Sequence, residues 1–377
     1  GLRGRGGAGF PTGTKWSFLT KNRPTYYVVC NSDESEPGTF KDREIMEKNP
    51  FQLLEGIMIA AYAAKANVAY NYLRGEFWQV AKFQDECIAE LRAQGFLGKN
   101  LFGTNYSLDV FTHLGAGAYI CGEESALLES LEGKLGQPRL KPPFPDDKGL
   151  YEMPTVVNNT ETLTNVPMII TKGAEWYKSI GVPNSAGTKV MCVSGHVNKP
   201  GNYEFAFGLT LRQLIYDHCG GVPSGKKVKA VMLSGASSVV LSGSDDILDM
   251  ALDYDSVAKK GSALGSASII VMDETVDMSW VLLKTCRFFK HESCGKCTPC
   301  REGTYWMLNI MERVGKNQVT KADIDLLNNV ASQVQGKCLC PLGEFAVTPM
   351  LSGLKIFRAD FDSHATDAKA AAKPAPA

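Results

Sequence analysis

In the run Cys294-Gly-Lys-Cys297-Thr-Pro-Cys300 a thiol recurs at every third position, and the chain can bring all three to one point only by wrapping a small inorganic body. The fourth ligand such a body needs lies about forty residues on, in Cys338-Leu-Cys340-Pro341. A C-x2-C-x2-C run closed by a distant Cys-Pro is a pattern that holds a [4Fe–4S] cluster. Zinc prefers paired C-x2-C knuckles or His partners and fits a triple run less well, though spacing alone leaves it open. Pro341 directly after Cys340 makes Cys340 the better fourth ligand, with Cys338 as the fallback. Residues 301–314 read as a helix, which places Cys300 at a helix N-terminus, where the dipole and free N–H groups favour thiolate and an anionic guest. Lys296, Arg301 and Lys290 add positive charge, and for Lys290 a solvated face is an equal reading.

Forty basic and forty acidic residues among 377 cancel, so no nucleic-acid partner is expected. No apolar run approaches the roughly 18–20 residues that span a bilayer. The best, Ile57-Met-Ile-Ala-Ala-Tyr-Ala-Ala64, is short, flanked by Glu55 and Lys65, and reads as a core helix. Eleven cysteines, an odd number in a long chain, fit a reducing compartment better than a disulfide framework. Outside the four ligands, Cys30, Cys87, Cys121, Cys192, Cys219, Cys286 and Cys338 are expected as small buried hydrophobes. The chain opens on Gly1-Leu-Arg without a leader pattern, which leaves targeting unread, and 362–377 is expected as a disordered tail.

Gly4-Arg-Gly6-Gly7-Ala-Gly9-Phe10-Pro11 is a glycine-dense loop whose backbone can approach a phosphate closely. Its Gly4-x-Gly6-x-x-Gly9 spacing matches the dinucleotide fingerprint only formally, because no strand precedes it. Tyr26-Tyr-Val-Val-Cys30 reads as a buried strand running into Asn31-Ser-Asp33-Glu34-Ser-Glu36-Pro37-Gly38. In an open α/β sheet ligands sit at that end of a strand, so these polar residues are site candidates, with a solvated acidic turn as the competing reading. A helix over 51–66, a strand over 68–73, a helix over 76–94 and a strand over 108–112 predict a doubly wound, largely parallel sheet. A second glycine-rich turn, 115–122, opens a helix whose first turn carries Glu123 and Glu124. Carboxylates there also complement the helix dipole, yet both features together at a strand end favour a ligand site. Residues 134–154 form a connector built on Lys141-Pro-Pro-Phe144-Pro145, too rich in proline for a helix or central strand. Val156-Val-Asn158-Asn159-Thr-Glu161-Thr162 is expected to lead into a helix ending near 181. Short strands over 189–194, 228–233 and 268–272 around a helix over 209–218 suggest a small α+β module. Helices over 275–290, 301–314, 320–335 and 343–358 suggest a bundle with the cysteines in two of its connections.

Together, the glycine loop 4–13, Asn31-Ser-Asp-Glu-Ser-Glu-Pro-Gly-Thr39, Gly117-Ala-Tyr-Ile-Cys-Gly-Glu-Glu-Ser-Ala126, Lys141-Pro-Pro-Phe-Pro145 and Glu292-Ser-Cys-Gly-Lys-Cys-Thr-Pro-Cys-Arg-Glu-Gly303 carry a family resemblance. From residue 1 to about 361 the chain resembles the NADH-binding flavoprotein subunit of bacterial respiratory complex I, the proton-pumping NADH:quinone oxidoreductase. The resemblance implies FMN, one [4Fe–4S] cluster and NAD(H). It implies an α/β FMN- and NADH-binding domain with a parallel sheet at 1–182, a ubiquitin-like β-grasp module at 183–273 and an all-α helical bundle carrying the cluster at 274–361. Carried over position by position, it implies that Gly4, Gly6, Gly7, Lys15, Asn31, Asp33, Glu34, Tyr119, Glu123, Glu124, Val157, Asn158, Asn159 and Thr162 line the flavin. Phe10, Lys15, Phe18, Glu36, Glu124, Lys141 and Phe144 match the NADH side, and Cys294, Cys297, Cys300 and Cys340 the cluster.

Aromatic rings can sandwich adenine, lysines can meet phosphates and amides can hold ring or ribitol oxygens; core packing is the competing reading for Phe10, Phe18 and Phe144. Glu124 is the residue expected to set hydride geometry or flavin potential, the flavin itself carrying the chemistry. The implied setting is an electron-input component, cytoplasmic and held at the inner membrane only through its complex, beside the small [2Fe–2S] thioredoxin-like subunit and the large iron–sulfur subunit. Two other readings stand beside it: the diaphorase subunit of a soluble NAD-dependent hydrogenase or formate dehydrogenase, and a zinc-stabilised scaffold without flavin.

Overall fold

The computed structural model describes residues 1–367. Strands β1 (Tyr27–Ser32), β2 (Val68–Leu73), β3 (Asp109–Leu114) and β4 (Thr155–Asn159) form one all-parallel sheet in the order β3-β2-β1-β4. Successive side chains of β1 point to opposite faces, and both faces are covered. Val28 and Cys30 pack with the helices α1 (Lys41–Lys48), α2 (Pro50–Ala64) and α3 (Trp78–Ala93), while Val29 joins Tyr72 and Val157 against α4 (Glu124–Leu131). The chain steps outward from β1 to β2 and β3, then returns to the other side of β1 with β4. That reversal makes the crevice beyond the C-terminal ends of β1 and β4 the place where a sheet of this kind accepts a ligand.

Strand β4 is a correction, since 156–162 reads in the sequence as the approach to a helix. Val156 and Val157 are buried on opposite faces, and Asn158 and Asn159 lie level with Cys30 and Asn31 of β1. Two apolar residues between Pro154 and a polar run are too short a signal for a strand. The helix starts only at α5 (Thr160–Thr164), capped by Asn159, whose Oδ1 accepts the Glu161 N–H at 3.0 Å.

The second unit is a mixed sheet of β5 (Thr188–Gly195), β6 (Gly201–Ala206), β7 (Val228–Met232), β8 (Val240–Ser242) and β9 (Ser268–Asp273) in the order β8-β7-β9-β5-β6. Only β5 and β9 run parallel. Strands β6 and β8 have no counterpart in the sequence pattern, because β6 is nowhere fully buried and β8 has three residues.

Helices α6 (Met278–Glu292), α7 (Thr298–Gly315), α8 (Lys321–Val334) and α9 (Leu342–Ile356) follow close to their expected spans. Met307, Ile310, Met311 and Val314 recur at helical spacing on α7 and share one core with Leu282, Phe289, Leu327, Ala331, Val347 and Met350. In the bundle α6 packs on α7 and α9, α8 packs on α7 and α9, and α7 and α9 also touch each other. The tail expectation fails for 362–367. Past α10 (Arg358–Asp362), Ala365 is buried and the Thr366 N–H donates to Val319 O at 2.9 Å, so small apolar anchors continue the packing. Residues 368–377 lie outside the described residues. Among the described residues no helix is long and apolar enough to cross a membrane.

Buried charge joins the first two units. Lys41 Nζ lies 2.7 Å from Asp42 and 2.9 Å from Glu161, Lys189 Nζ lies 2.5 Å from Glu161, and Asn159 donates to Asp42 at 2.7 Å. Burial alone would raise the Glu161 carboxyl, but Lys189, Lys41 and Arg5 outweigh it and hold it down to about 2. A carboxyl depressed on folding contributes stability that is present above its ordinary value of 4.5 and is lost as pH falls toward 2. Glu161→Gln is expected to lower the unfolding free energy at neutral pH by about 3 kcal/mol or more, the cost of removing one partner of a buried pair. The gap to wild type should close as pH drops through that window in chemical denaturation, and a neutral-pH loss under about 1 kcal/mol contradicts the role.

Candidate functional site

The N-terminal loop arches at the end of the sheet. Gly4 N–H donates to Phe10 O and Thr12 N–H to Leu2 O, both at 2.9 Å, which closes residues 4–10 on themselves. Arg5 anchors the arch: its N–H donates to Thr162 Oγ1, and its buried guanidinium to Tyr177 OH and Ala186 O, each at 2.8 Å. A Cβ on Gly6 would stand 2.8 Å from the Cβ of Asn159, so the close approach to β4 needs glycine there. At Gly7 nothing lies within 4 Å of that position, and bare backbone faces open space.

Asn31 donates to Gly122 O at 2.8 Å and accepts the Asp33 N–H at 3.2 Å, tying the β1 end to the glycine turn before α4. Asp33 Oδ1 accepts from Ser35, while Oδ2 is buried without a partner, and burial pushes this carboxyl up to about 7. An orphaned buried oxygen asks for an explanation. It faces Gly122, where a Cβ would stand 3.4 Å away, and suits a ligand hydroxyl, while the bare backbone of the arch at Gly7 suits a phosphate.

Some candidates hold the frame and leave that crevice to others. Glu34 caps α1, its two oxygens accepting the N–H groups of Asp42 and Arg43 at 2.7 and 3.0 Å. Val157 packs in the core with Tyr72 and Leu127, and Thr162 is fully buried on Arg5. Asn158 accepts from Trp16 Nε1 at 2.7 Å, and Asn159 is held by Asp42 and the Glu161 N–H.

A second group surrounds the start of α4. Glu123 accepts the N–H groups of Ser125 and Ala126 at 3.0 Å, and Lys141 reaches it at 2.9 Å. Glu124 accepts from Lys15 at 2.7 Å and from Lys141 at 2.8 Å. Burial would raise Glu124, but the two ammonium groups hold it at about 2, so it is ionised across the neutral range. Phe10, Phe18 and Phe144 are 47, 53 and 52% exposed, which excludes core packing. The rings of Phe10 and Phe18 lie 6.2 Å apart, and the Thr20 N–H donates to Asp146 O at 3.0 Å, bringing the Phe18 and Phe144 segments together. Open aromatic faces beside two lysines make a surface for a nucleotide.

Tyr119 links this region to the thiols. Its OH donates to Glu36 at 2.7 Å, its N–H donates to Glu292 at 3.0 Å, and its ring meets Phe288 and Phe289 edge-on. Glu36, pushed up to about 7 by burial, also accepts the Ser237 N–H from the second unit. The next residue, Ile120, lines a cavity with Ser293, Cys294, Lys296, Cys297, Cys300, Cys338, Cys340 and Leu342.

Gly295 turns the chain with a φ of 78° after α6, and α7 starts at Thr298, three residues before its expected start. Cys297 is therefore the N-cap and Cys300 lies in the first turn, while Cys340 stands just ahead of α9. Ser293 Oγ lies 3.2 Å from Cys300 Sγ, and the Leu339 N–H donates to Cys297 Sγ at 3.3 Å. Lys296 donates to Pro138 O at 2.7 Å beside the cavity. Arg301 turns to Gly295 O and Glu302, and Lys290 is exposed, which fits its solvated reading. The cavity is small, about 10 Å³. Among the described residues no three His, Cys, Asp or Glu side chains meet closely enough to hold one metal ion. Thiols that ring a void suit a cluster of several atoms better than a single zinc. Of the seven other cysteines six are buried as expected, and Cys338, at the cavity, is the exception. Arg5, Trp16 and Ile120 are absent from the sequence candidates. A basic residue inside a glycine loop was the available signal for Arg5, and the other two have none locally.

Family models match the chain as a Nuo51 FMN-binding domain over 1–168, an SLBB domain over 189–264 and an NADH-ubiquinone oxidoreductase-F iron-sulfur binding region over 280–364. The F subunit of the NADH-quinone oxidoreductase of Rickettsia bellii is 49% identical over 365 residues, 96% of this chain and 87% of that relative. One of the corresponding F subunits of Rhizobium meliloti is 50% identical over 96% of this chain and 84% of its own length. Among solved structures, a chain of an NAD+-reducing [NiFe]-hydrogenase in the air-oxidized state superposes with a TM-score of 0.88 at 37% identity. That match covers 97% of this chain and 61% of the hydrogenase chain.

Cys297→Ser is expected to bring iron and acid-labile sulfide below about half of the wild-type content in protein purified without oxygen, with the fold intact by circular dichroism. Wild-type iron in that variant contradicts the role of the cavity.

Proposed function

The chain belongs to the family of NADH-quinone oxidoreductase F subunits, and from that premise we infer that it is the electron-input subunit of an NADH:quinone oxidoreductase. When bound, FMN supplies hydride acceptance from NADH, and a [4Fe–4S] cluster supplies one-electron transfer toward other subunits and finally quinone. The observation that carries this reading is the turn Tyr119–Gly122, which belongs to both places: Tyr119 is bonded to Glu36 beside the sheet crevice, and Ile120 lines the thiol cavity.

In this reading Cys294, Cys297, Cys300 and Cys340 hold the cluster. Gly4, Gly6, Gly7, Asn31, Asp33 and Tyr119 shape the flavin crevice, with Asp33 Oδ2 accepting a ligand hydroxyl and Asn158, held by Trp16, supporting its wall. Glu34, Val157, Asn159 and Thr162 keep its walls in place. Phe10, Phe18 and Phe144 offer ring faces to the adenine of NADH, and Lys15 and Lys141 meet its phosphates. Those lysines are already paired, so an incoming diphosphate competes with Glu123 and Glu124 for them. Glu36 and Glu124 complete the nicotinamide side, and Glu124 positions the reacting pair. We assign 1–182 to the FMN domain, 183–273 to a ubiquitin-like β-grasp module and 274–361 to the helical bundle. The proposed neighbours are the small [2Fe–2S] thioredoxin-like subunit and the large iron–sulfur subunit, at the cytoplasmic side of the inner membrane.

The superposition on the hydrogenase chain favours a second reading, the diaphorase part of a soluble NAD-linked hydrogenase. Higher identity and fuller coverage of the quinone-oxidoreductase relatives weigh against it, and the subunits that copurify distinguish the two.

Phe144→Ala is expected to raise KM for NADH about tenfold with a smaller change in kcat, as for a lost stacking face. Glu124→Gln is expected to lower kcat with an artificial acceptor about tenfold. It should also raise the flavin midpoint by on the order of tens of mV, because a negative charge disfavours the reduced ring. Unchanged NADH kinetics and potential in E124Q contradict its role.

A further inference from the structure

The cavity holds one thiol more than a four-iron cluster needs. Cys338 lines it together with the four assigned ligands and stands two residues from Cys340 in the connection between α8 and α9. Its place is kept open by Gly343 in the first turn of α9, where a Cβ would lie 2.4 Å from Cys338 Sγ. The two thiols differ in their neighbours. Cys340 stands just ahead of α9, and the Leu342 N–H is directed at its sulfur. Cys338 Sγ instead lies 3.9 Å from Val334 O, on the side of Gly343.

Between them the Leu339 N–H donates to Cys297 Sγ at 3.3 Å, so the segment that carries both thiols is already fixed on the cavity wall. Cys338 and Cys340 therefore line the same cavity from one fixed segment.

We propose that Cys338 is a reserve ligand, which takes over the fourth iron when Cys340 does not hold it. The inference rests on reading the thiol cavity as the cluster site. In the exchange one iron–sulfur bond to Cys340 breaks and one to Cys338 forms. The proton leaving the Cys338 thiol is taken up by the departing Cys340 thiolate, so no electron moves and no oxidant is required. The chain thereby keeps a four-iron cluster where a site with four thiols would fall to three irons.

The test uses the full chain purified without oxygen as wild type, C338A, C340A and C338A/C340A, alanine leaving no side-chain oxygen to substitute. Iron per chain and the paramagnetic spectra of oxidised and reduced samples are measured. Wild type, C338A and C340A are expected to hold about four irons each, C340A with a shifted reduced-state spectrum. The double variant should fall to about three or fewer and show a three-iron signal when oxidised. A folded C340A that is as iron-poor as the double variant overturns the proposal, and so does a C338A that loses the fourth iron, which would make Cys338 the resident ligand. Should C340A not fold, C340S is read in the same way against C338A/C340S. An iron-free wild type would instead overturn the cluster reading on which the proposal stands.

Discussion

Two lysines without exposed surface, Lys41 and Lys189, meet two buried carboxylates, Asp42 and Glu161, at the mouth of the parallel sheet. Taking such ions out of water costs several kcal/mol each, regained only when every partner and hydrogen bond is in place. Lys41 and Asp42 follow β1, Glu161 follows β4 and Lys189 lies on β5, so three segments close in one arrangement or leave a bare charge. Asn159 is drawn to Asp42, Glu161 takes the Val190 N–H at 2.9 Å, and Thr162 takes the Arg5 N–H that fixes the glycine arch. The walls of the crevice are thus set by ion pairing before any ligand arrives.

A carrier that accepts electrons in pairs can feed one that passes them singly only if both are held close and still. The turn Tyr119–Gly122 is held from three directions. Asn31 at the end of β1 bonds Gly122 O, Glu36 bonds both Tyr119 OH and Ser237 N–H of the second unit, and Glu292 at the end of α6 takes the Tyr119 N–H. The second unit therefore acts as a buttress, and the start of the cysteine run is aligned by the same residue that faces the sheet crevice.

Much of this was legible locally. The 3.6-residue recurrence of apolar residues in α6 to α9 and the buried runs of β1 and β2 are strong periodic signals, and the thiol spacing announces its own guest. Exposed Phe10, Phe18 and Phe144 are visible as candidates only through the family resemblance, since aromatic residues ordinarily read as core. What escaped was non-local. Lys41, Asp42 and Arg5 carry no local sign of burial, and Glu34 and Glu123 look like ligand groups. Their partners are tens of residues away or are backbone N–H groups at helix starts. Strand β4 escaped because Val156 and Val157 are its only large apolar residues.

The central claim is that one polypeptide takes electrons from NADH in pairs and releases them singly through the thiol cavity. The most direct measurement is to mix the oxygen-free protein with NADH and follow the visible flavin band and the low-temperature paramagnetic spectrum of the same sample. Bleaching of the band together with a reduced iron–sulfur signal is the predicted result. A colourless protein, or bleaching while the iron–sulfur centre stays silent, would contradict it.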